Sequence, residues 1–108
     1  MQIEKSKRGE ADVVALAGRL DVNTAPELDE CLTQLVDQGA RSLILDFSRL
    51  EYMGSAGLRS ILAVGRMLKA LQGKLFLCGA SGIVKNVLVM SGFSGMFALV
   101  DSIDQVEV

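Results

Sequence analysis

The chain contains no histidine. That excludes a Ser-His or Cys-His nucleophile pair and any imidazole-based metal site. It has only two cysteines, Cys31 and Cys78, far apart and without a C-x-x-C pairing, so a reducing, cytoplasmic setting is expected. Long apolar runs are missing as well. Each is broken by charge or glycine, and none predicts membrane insertion. The opening residues Met1-Gln2-Ile3-Glu4-Lys5 alternate in polarity and lack the apolar core of a signal peptide. The 11 basic residues are scattered, with no basic run, and the formal net charge is −2, so no strong field draws nucleic acid. A phosphate-binding loop is absent too: Gly79-Ala80-Ser81-Gly82 has neither the spacing nor the lysine of one. These absences point away from an enzyme, and no metal or cofactor is expected.

What remains is a chain of 108 residues, 50% hydrophobic, enough apolar material for one domain over residues 1–108 with a real core. No linker, repeat or low-complexity segment interrupts it. Residues 2–7 alternate like a strand with one wet face, and Arg8-Gly9-Glu10 is a turn signal. Residues 12–20 form a near-continuous apolar run, a strand covered on both faces. The short turn between the two makes them an antiparallel hairpin. Thr24-Ala25-Pro26-Glu27 has the form of a capping box with proline in the first turn. Leu28, Cys31, Leu32, Leu35 and Val36 follow at helical spacing, with Cys31 on the core side, and Gly39 ends the helix.

Residues 42–47 are a second buried strand, parallel to the preceding one through the intervening helix. From Ser55 the period is helical again. Leu58, Ile61, Leu62, Gly65, Leu68 and Leu71 form the apolar face, and Gly73 ends it. Residues 74–78 are a strand. A third helix, with Val84, Val87 and Leu88 inward, a turn at 93–97, a short strand at 98–100 and a small terminal helix capped near Asp101-Ser102 complete the order. The fold class is α/β: a mixed, mostly parallel sheet of about four to five strands with an antiparallel N-terminal hairpin, packed with about four helices.

In such sheets function collects at the carboxyl ends of the parallel strands. The loops at residues 21–24, 48–55 and 79–81 are therefore expected to gather. Ser55 stands at the middle one, where strand hands over to helix. A serine there is a favoured N-cap, worth about 1 kcal/mol, and spacing alone favours that role. Yet Gly54, Ala56 and Gly57 add little bulk around it, and they leave an accessible hydroxyl on an uncluttered helix tip. A phosphate on Ser55 would gain about 0.3–1 kcal/mol from the helix N-terminus. Burying it unpaired in a partner's interface would cost several kcal/mol. The larger cost makes it a switch that ejects a partner while the domain stays folded.

The stretch Asp46-Phe47-Ser48-Arg49-Leu50-Glu51-Tyr52-Met53-Gly54-Ser55-Ala56-Gly57-Leu58 resembles the signature of STAS domains, in particular the bacterial anti-sigma factor antagonists, D-[LF]-S-x-[LV]-x-[FY]-[MI]-D-S-[SA]-G-[LV]. Upstream, Gly18-Arg19-Leu20-Asp21-Val22-Asn23-Thr24-Ala25 is similar to the family's G-x-[LI]-D-x-x-[TS]-A. The resemblance covers the whole chain. It implies an anti-sigma factor antagonist whose unphosphorylated form binds an anti-sigma factor serine kinase and so releases the sigma factor. It implies that the kinase phosphorylates Ser55 and breaks the complex, and that a PP2C-type phosphatase restores it. Asp21 then helps form the kinase-binding surface, with Asn23, Thr24, Glu51, Gly54, Ala56 and Arg59 around it. On local grounds alone Asp21 also suits an Asx-type turn. One position departs from the pattern: Gly54 stands where the family usually has aspartate. That departure favours an alternative, a STAS scaffold or subunit of a larger signalling or lipid-transport assembly that is not phosphorylated.

The remaining polar residues of the stretch have simpler expected roles. Asp46 pairs with loop N–H groups. Ser48 makes turn bonds. Tyr52 and Met53 pack beneath the loop, and Glu51 and Arg59 lie at its rim, with Arg59 in reach of a phosphate on Ser55.

Overall fold

The computed structural model describes residues 1–106, so Glu107 and Val108, the last two of the expected domain, lie outside the described residues. Strands β1 (Gln2–Arg8) and β2 (Ala11–Leu20) form the antiparallel hairpin that the alternation and the Gly9 turn predict. Then follow α1 (Ala25–Asp37), β3 (Ser42–Met53), α2 (Ser55–Ala70), β4 (Lys74–Cys78), α3 (Gly82–Met90), the single turn α4 (Phe93–Met96), β5 (Ala98–Val100) and a 3-10 turn at Ile103–Gln105. The sheet order is β1-β2-β3-β4-β5, parallel from β2 onward. Each parallel step moves one strand outward in the same direction. Right-handed crossovers then place the helices on a common face.

The burial pattern follows from that geometry. Val14 and Leu16 of β2, Leu43, Leu45 and Phe47 of β3, and Leu75 and Leu77 of β4 turn towards the helices. There they meet Leu28, Leu32 and Val36 of α1, Ile61, Val64 and Leu68 of α2, and Val84 and Leu88 of α3. The alternate residues Val13, Ile44 and Cys78 point to the other face, where Val106 and Ile103 cover them. On α2, Leu58 and Leu62 are only half-buried and Leu71 is exposed, because the helix stops at Ala70. Val64 and Ser60 take up core positions instead, and the Ser60 hydroxyl donates to the carbonyl of Ala56 at 3.2 Å.

The main departure from the sequence reading is the length of β3. It was expected to end at Phe47, and it runs to Met53. Two register shifts against β2 explain how a stretch with turn-like residues stays in the sheet. At the first, the Asp46 carboxylate accepts the amide of Ser48 at 3.0 Å, which satisfies a backbone group that the irregular ladder leaves over. Asp46 therefore does what was expected of it. Ser48 does not: it sits on an exposed strand position and makes no turn bond through its hydroxyl. The extension also separates the loops. β4 ends opposite Asp46, and Gly79 packs against Asp46 and Ser48. At about 3.3 Å per residue, that is on the order of 16 Å short of Met53. The 79–81 loop does not join the other two.

Cys78 is fully buried on the smaller core face. Burial pushes its thiol up to about 11, with the Asp46 carboxylate adding to the effect and Arg8 opposing it. The unfolded chain has an ordinary thiol near 9. Between these values the unfolded state binds fewer protons than the folded one, so stability falls as pH rises. Denaturant titrations from pH 8 to 11 are expected to show that fall, with a shallower slope in Cys78→Ala. An unchanged slope would assign the loss to other groups.

Candidate functional site

The site is built where β2 and β3 end together. Leu20 pairs with Met53, and the amide of Gly54 donates to the carbonyl of Leu20 at 2.9 Å. The chain leaves β3 at Gly54 in an extended conformation, φ −101°, and turns at once into α2. Gly54, not Ser55, is the N-cap. Ser55 is the first residue inside the helix and makes no capping bond. The reason lies in β3: because the strand persists to Met53 and the Gly54 amide is committed to it, the helix starts one residue earlier than a serine cap requires. The Ser55 side chain is exposed and without a hydrogen-bond partner among the described residues.

Gly57 explains how the helix can sit so close. A Cβ there would lie 2.7 Å from Cγ and 2.8 Å from Cδ2 of Leu20, and 3.0 Å from Cγ of Met53. Both neighbours are buried. The missing side chain lets the first turn of α2 rest directly on the ends of β2 and β3, which leaves Ser55 at the rim.

The second wall is the segment between β2 and α1. The Asp21 carboxylate accepts the amides of Asn23 at 2.9 Å and Thr24 at 3.2 Å, the Asx-type turn that its sequence context suggests. The expected capping box at Thr24 does not form. The Thr24 hydroxyl instead accepts the amide of Asp21 at 2.9 Å and donates to the carbonyl of Arg19 at 2.9 Å. With the backbone bond from Ala25 to Asp21 at 2.8 Å, the turn is already closed, so Thr24 serves the loop rather than the helix. Asp21 and Thr24 are thus spent on holding the loop, while Asn23 is exposed at its tip.

Two features were not legible as site residues. Val22 is 70% exposed, an apolar side chain held out at the tip between Asp21 and Asn23. The guanidinium of Arg19 lies over the Tyr52 ring at 4.2 Å from its centroid. That ring in turn flanks Gly54. Met53 is buried beneath the loop, as expected, while Tyr52 stacks at its side. Glu51, near the end of β3, and Arg59, in the second turn of α2, are both exposed. A groove of about 430 Å³ opens beside Ala56 and Arg59 and runs between α1 and α2, with Val22 and Pro26 on its other wall. Of the sequence-predicted residues, then, Asp21, Asn23, Thr24, Gly54, Ser55, Ala56 and Arg59 converge on one end of the sheet, with Glu51 at its edge.

Comparison with known proteins gives this arrangement its family. Residues 2–106 match the STAS domain. The chain belongs to the STAS domain family. This STAS domain is 38% identical over 90 residues to a Bordetella bronchiseptica protein described as anti-sigma factor antagonist BtrV, covering 83% of this chain and 78% of that one. It is 27% identical to the anti-sigma-B factor antagonist of Staphylococcus aureus, over 89% of each chain. Among solved structures, the anti-sigma factor antagonist SpoIIAA in its unphosphorylated form superimposes with a TM-score of 0.78 at 24% identity, covering 96% of this chain and 92% of that one. The Bacillus SpoIIAA structure in the phosphorylated form gives 0.77 at 24% identity, over 96% and 95% of the two chains. These likenesses confirm the mixed sheet with its antiparallel β1–β2 pair and helical layer as the STAS fold.

Two expectations follow from the geometry. Because Ser55 caps nothing, Ser55→Ala is expected to change the unfolding free energy by less than about 0.5 kcal/mol, not the ~1 kcal/mol of a lost cap. Urea denaturation distinguishes the two. Gly57→Ala would stabilise an ordinary helix position by up to ~1 kcal/mol. Here it is expected to destabilise by about 1–3 kcal/mol through the Leu20 clash. A rise in stability would show that the helix can lift off the strand ends freely.

Proposed function

We propose that this STAS domain, a single unit over residues 1–108, is a cytoplasmic anti-sigma factor antagonist switched by phosphorylation of Ser55. In the unphosphorylated state it binds an anti-sigma factor serine kinase through the surface formed by Asp21, Asn23, Thr24, Glu51, Gly54, Ala56 and Arg59 around Ser55, and the sigma factor is released. Phosphorylation of Ser55 by that kinase breaks the complex, and a PP2C-type phosphatase resets it. It acts by binding, not by turnover. Among the described residues no helix is long and apolar enough to cross a membrane.

The observation that carries this reading is the state of Ser55. Its hydroxyl is exposed, unbonded and unnecessary for capping, at the centre of the surface on which the family motifs converge. Chemistry on that oxygen therefore costs the fold little. The phosphate would lie over the first amides of α2, which have no partner within the helix, with Arg59 one turn along. Both favour the free phosphorylated domain. A docked partner would have to desolvate two added negative charges, which costs several kcal/mol unless it supplies matching cations. The two effects act in the same direction, towards release.

A non-phosphorylated scaffold is the second reading, and Gly54 is what favours it. The position beside the serine carries no carboxylate, so a kinase that docks on one finds none there.

The deciding measurement is intact-mass spectrometry after incubation with ATP and the anti-sigma kinase encoded nearest to this protein, beside Ser55→Ala. One added phosphate on the wild type and none on the variant is expected. No phosphate, with that kinase active on another antagonist, would favour the scaffold. Ser55→Asp is expected to weaken kinase binding by at least about tenfold, or ~1.4 kcal/mol. Wild-type affinity in that variant would remove the ejection mechanism.

A further inference from the structure

Between Glu51 and Asp101 the sequence contains no aspartate or glutamate, yet Arg59, Arg66, Lys69, Lys74 and Lys85 all fall in that stretch. The chain as a whole is net negative. Its carboxylates are therefore concentrated in the first half and at the C-terminal end, and α2, β4, α3, α4 and β5 form a positive block. Among the described residues only Lys85 of these five has an ion-pair partner, Asp101 at 3.5 Å.

Arg66, Lys69 and Lys74 are exposed and converge on one corner, between the second half of α2, the start of β4 and α4. Two hollows of about 280 and 360 Å³ adjoin there, and no carboxylate lines either. Their common wall is formed by Gly65, Met96 and Phe97, with Lys69 beside them. Phe97 lies against α2 where Gly65 has no side chain, and Phe93 braces its ring edge-on at 5.4 Å between centroids. Met96 beside it is 56% exposed. The start of β4 lies at this corner, with the extended Phe97 leading into β5 beside it. β5 meets β4 only from Phe76 onward, so Lys74 and Leu75 have β3 on one side and no strand on the other.

We propose that this corner is a docking site for an extended, acidic segment of a partner protein that carries an apolar residue among its carboxylates. The two adjoining hollows form a channel along which an extended segment can lie. The three cations answer the carboxylates, and no carboxylate lines the hollows to offset their field. The Met96–Phe97 wall takes the apolar side chain. The site is remote from Ser55: Lys69 lies fourteen residues along the same helix, on the order of 20 Å at about 1.5 Å per residue. That exceeds the Debye length of about 8 Å at physiological salt, so a charge at Ser55 leaves this corner's affinity unchanged. The inference does not depend on phosphorylation.

The test is fluorescence anisotropy on the full chain, with a fluorescein-labelled ten-residue peptide alternating aspartate and leucine. The same peptide with lysine for aspartate serves as control, and phosphatidylglycerol vesicles are assayed in parallel. Saturable binding at least about tenfold tighter than that of the lysine peptide, weakening as salt is raised, is expected. The double variant Arg66→Glu, Lys69→Glu changes two exposed side chains and is expected to lose about tenfold or more. Met96→Asp is expected to weaken binding as well, and Ser55→Asp to leave it unchanged. Equal binding of the lysine peptide, or wild-type affinity in the folded double variant, would overturn the proposal. Binding of the vesicles without binding of the acidic peptide would also overturn it, in favour of a membrane surface.

Discussion

The site depends on one backbone bond, from the amide of Gly54 to the carbonyl of Leu20. It is the last rung of the β2–β3 ladder, and it decides where β3 stops. Had the strand ended at Phe47, a loop of several residues would have separated it from α2, and Ser55 would have been free to cap the helix. Because the ladder persists, the helix must begin at once. Gly57 must then be small enough for the helix to rest on Leu20 and Met53. The exposed serine, its lack of a local partner and its closeness to the Asp21 turn all follow from that rung. The bond itself contributes only about 1 kcal/mol. Its structural effect is larger because two strand ends and a helix start share it.

Most of the fold was legible because its elements carry strong periodicity. The apolar run of β2, the face of α1 through Leu28, Leu32 and Val36, and the short β5 all declare themselves. The second half of β3 does not. Ser48, Arg49 and Glu51 are exposed there and two register shifts break the alternation, so the pattern resembles a loop. What keeps it in the sheet is pairing with β2, a non-local fact, together with the Asp46–Ser48 bond. The two capping bonds expected from sequence do not form, for related reasons. Thr24 does stand at the N-cap of α1, but local bonds to Asp21 and Arg19 claim its hydroxyl, and strand length displaces Ser55 from the cap. Propensity describes what a residue does when nothing else competes for it.

The site residues were legible as a set, though their roles were not. Asp21, Asn23, Thr24, Gly54, Ser55, Ala56 and Arg59 do share one end of the molecule, and the structure divides them by what their polar groups are already doing. Asp21 and Thr24 use their oxygens to close a turn. They present a shape to a partner more than a hydrogen-bonding group. Asn23, Ser55 and Arg59 have no such commitments among the described residues, and Val22 adds an apolar contact that no polarity pattern would flag. A partner reading this surface meets a rigid turn, an exposed valine and an unspent hydroxyl.

Gly54 changes the electrostatics of that surface in a definite direction. With aspartate at this position a phosphate on Ser55 would add to a charge already present, and a partner tolerant of the first charge would partly anticipate the second. With glycine, no carboxylate occurs from Tyr52 to Val100, and the outward face of α2 carries only Arg59, Arg66 and Lys69. A phosphate would then have the cation Arg59 as its charged neighbour along α2, with the carboxylates of the surface confined to Asp21 and Glu51. A partner suited to the unmodified surface has no reason to place cations over Ser55, so the new charge would stay unmatched in the complex, while in the free domain Arg59 and the first amides of α2 lie beside it. The loss of the neighbouring carboxylate thus removes a docking contact, yet it widens the difference between the two states of the switch.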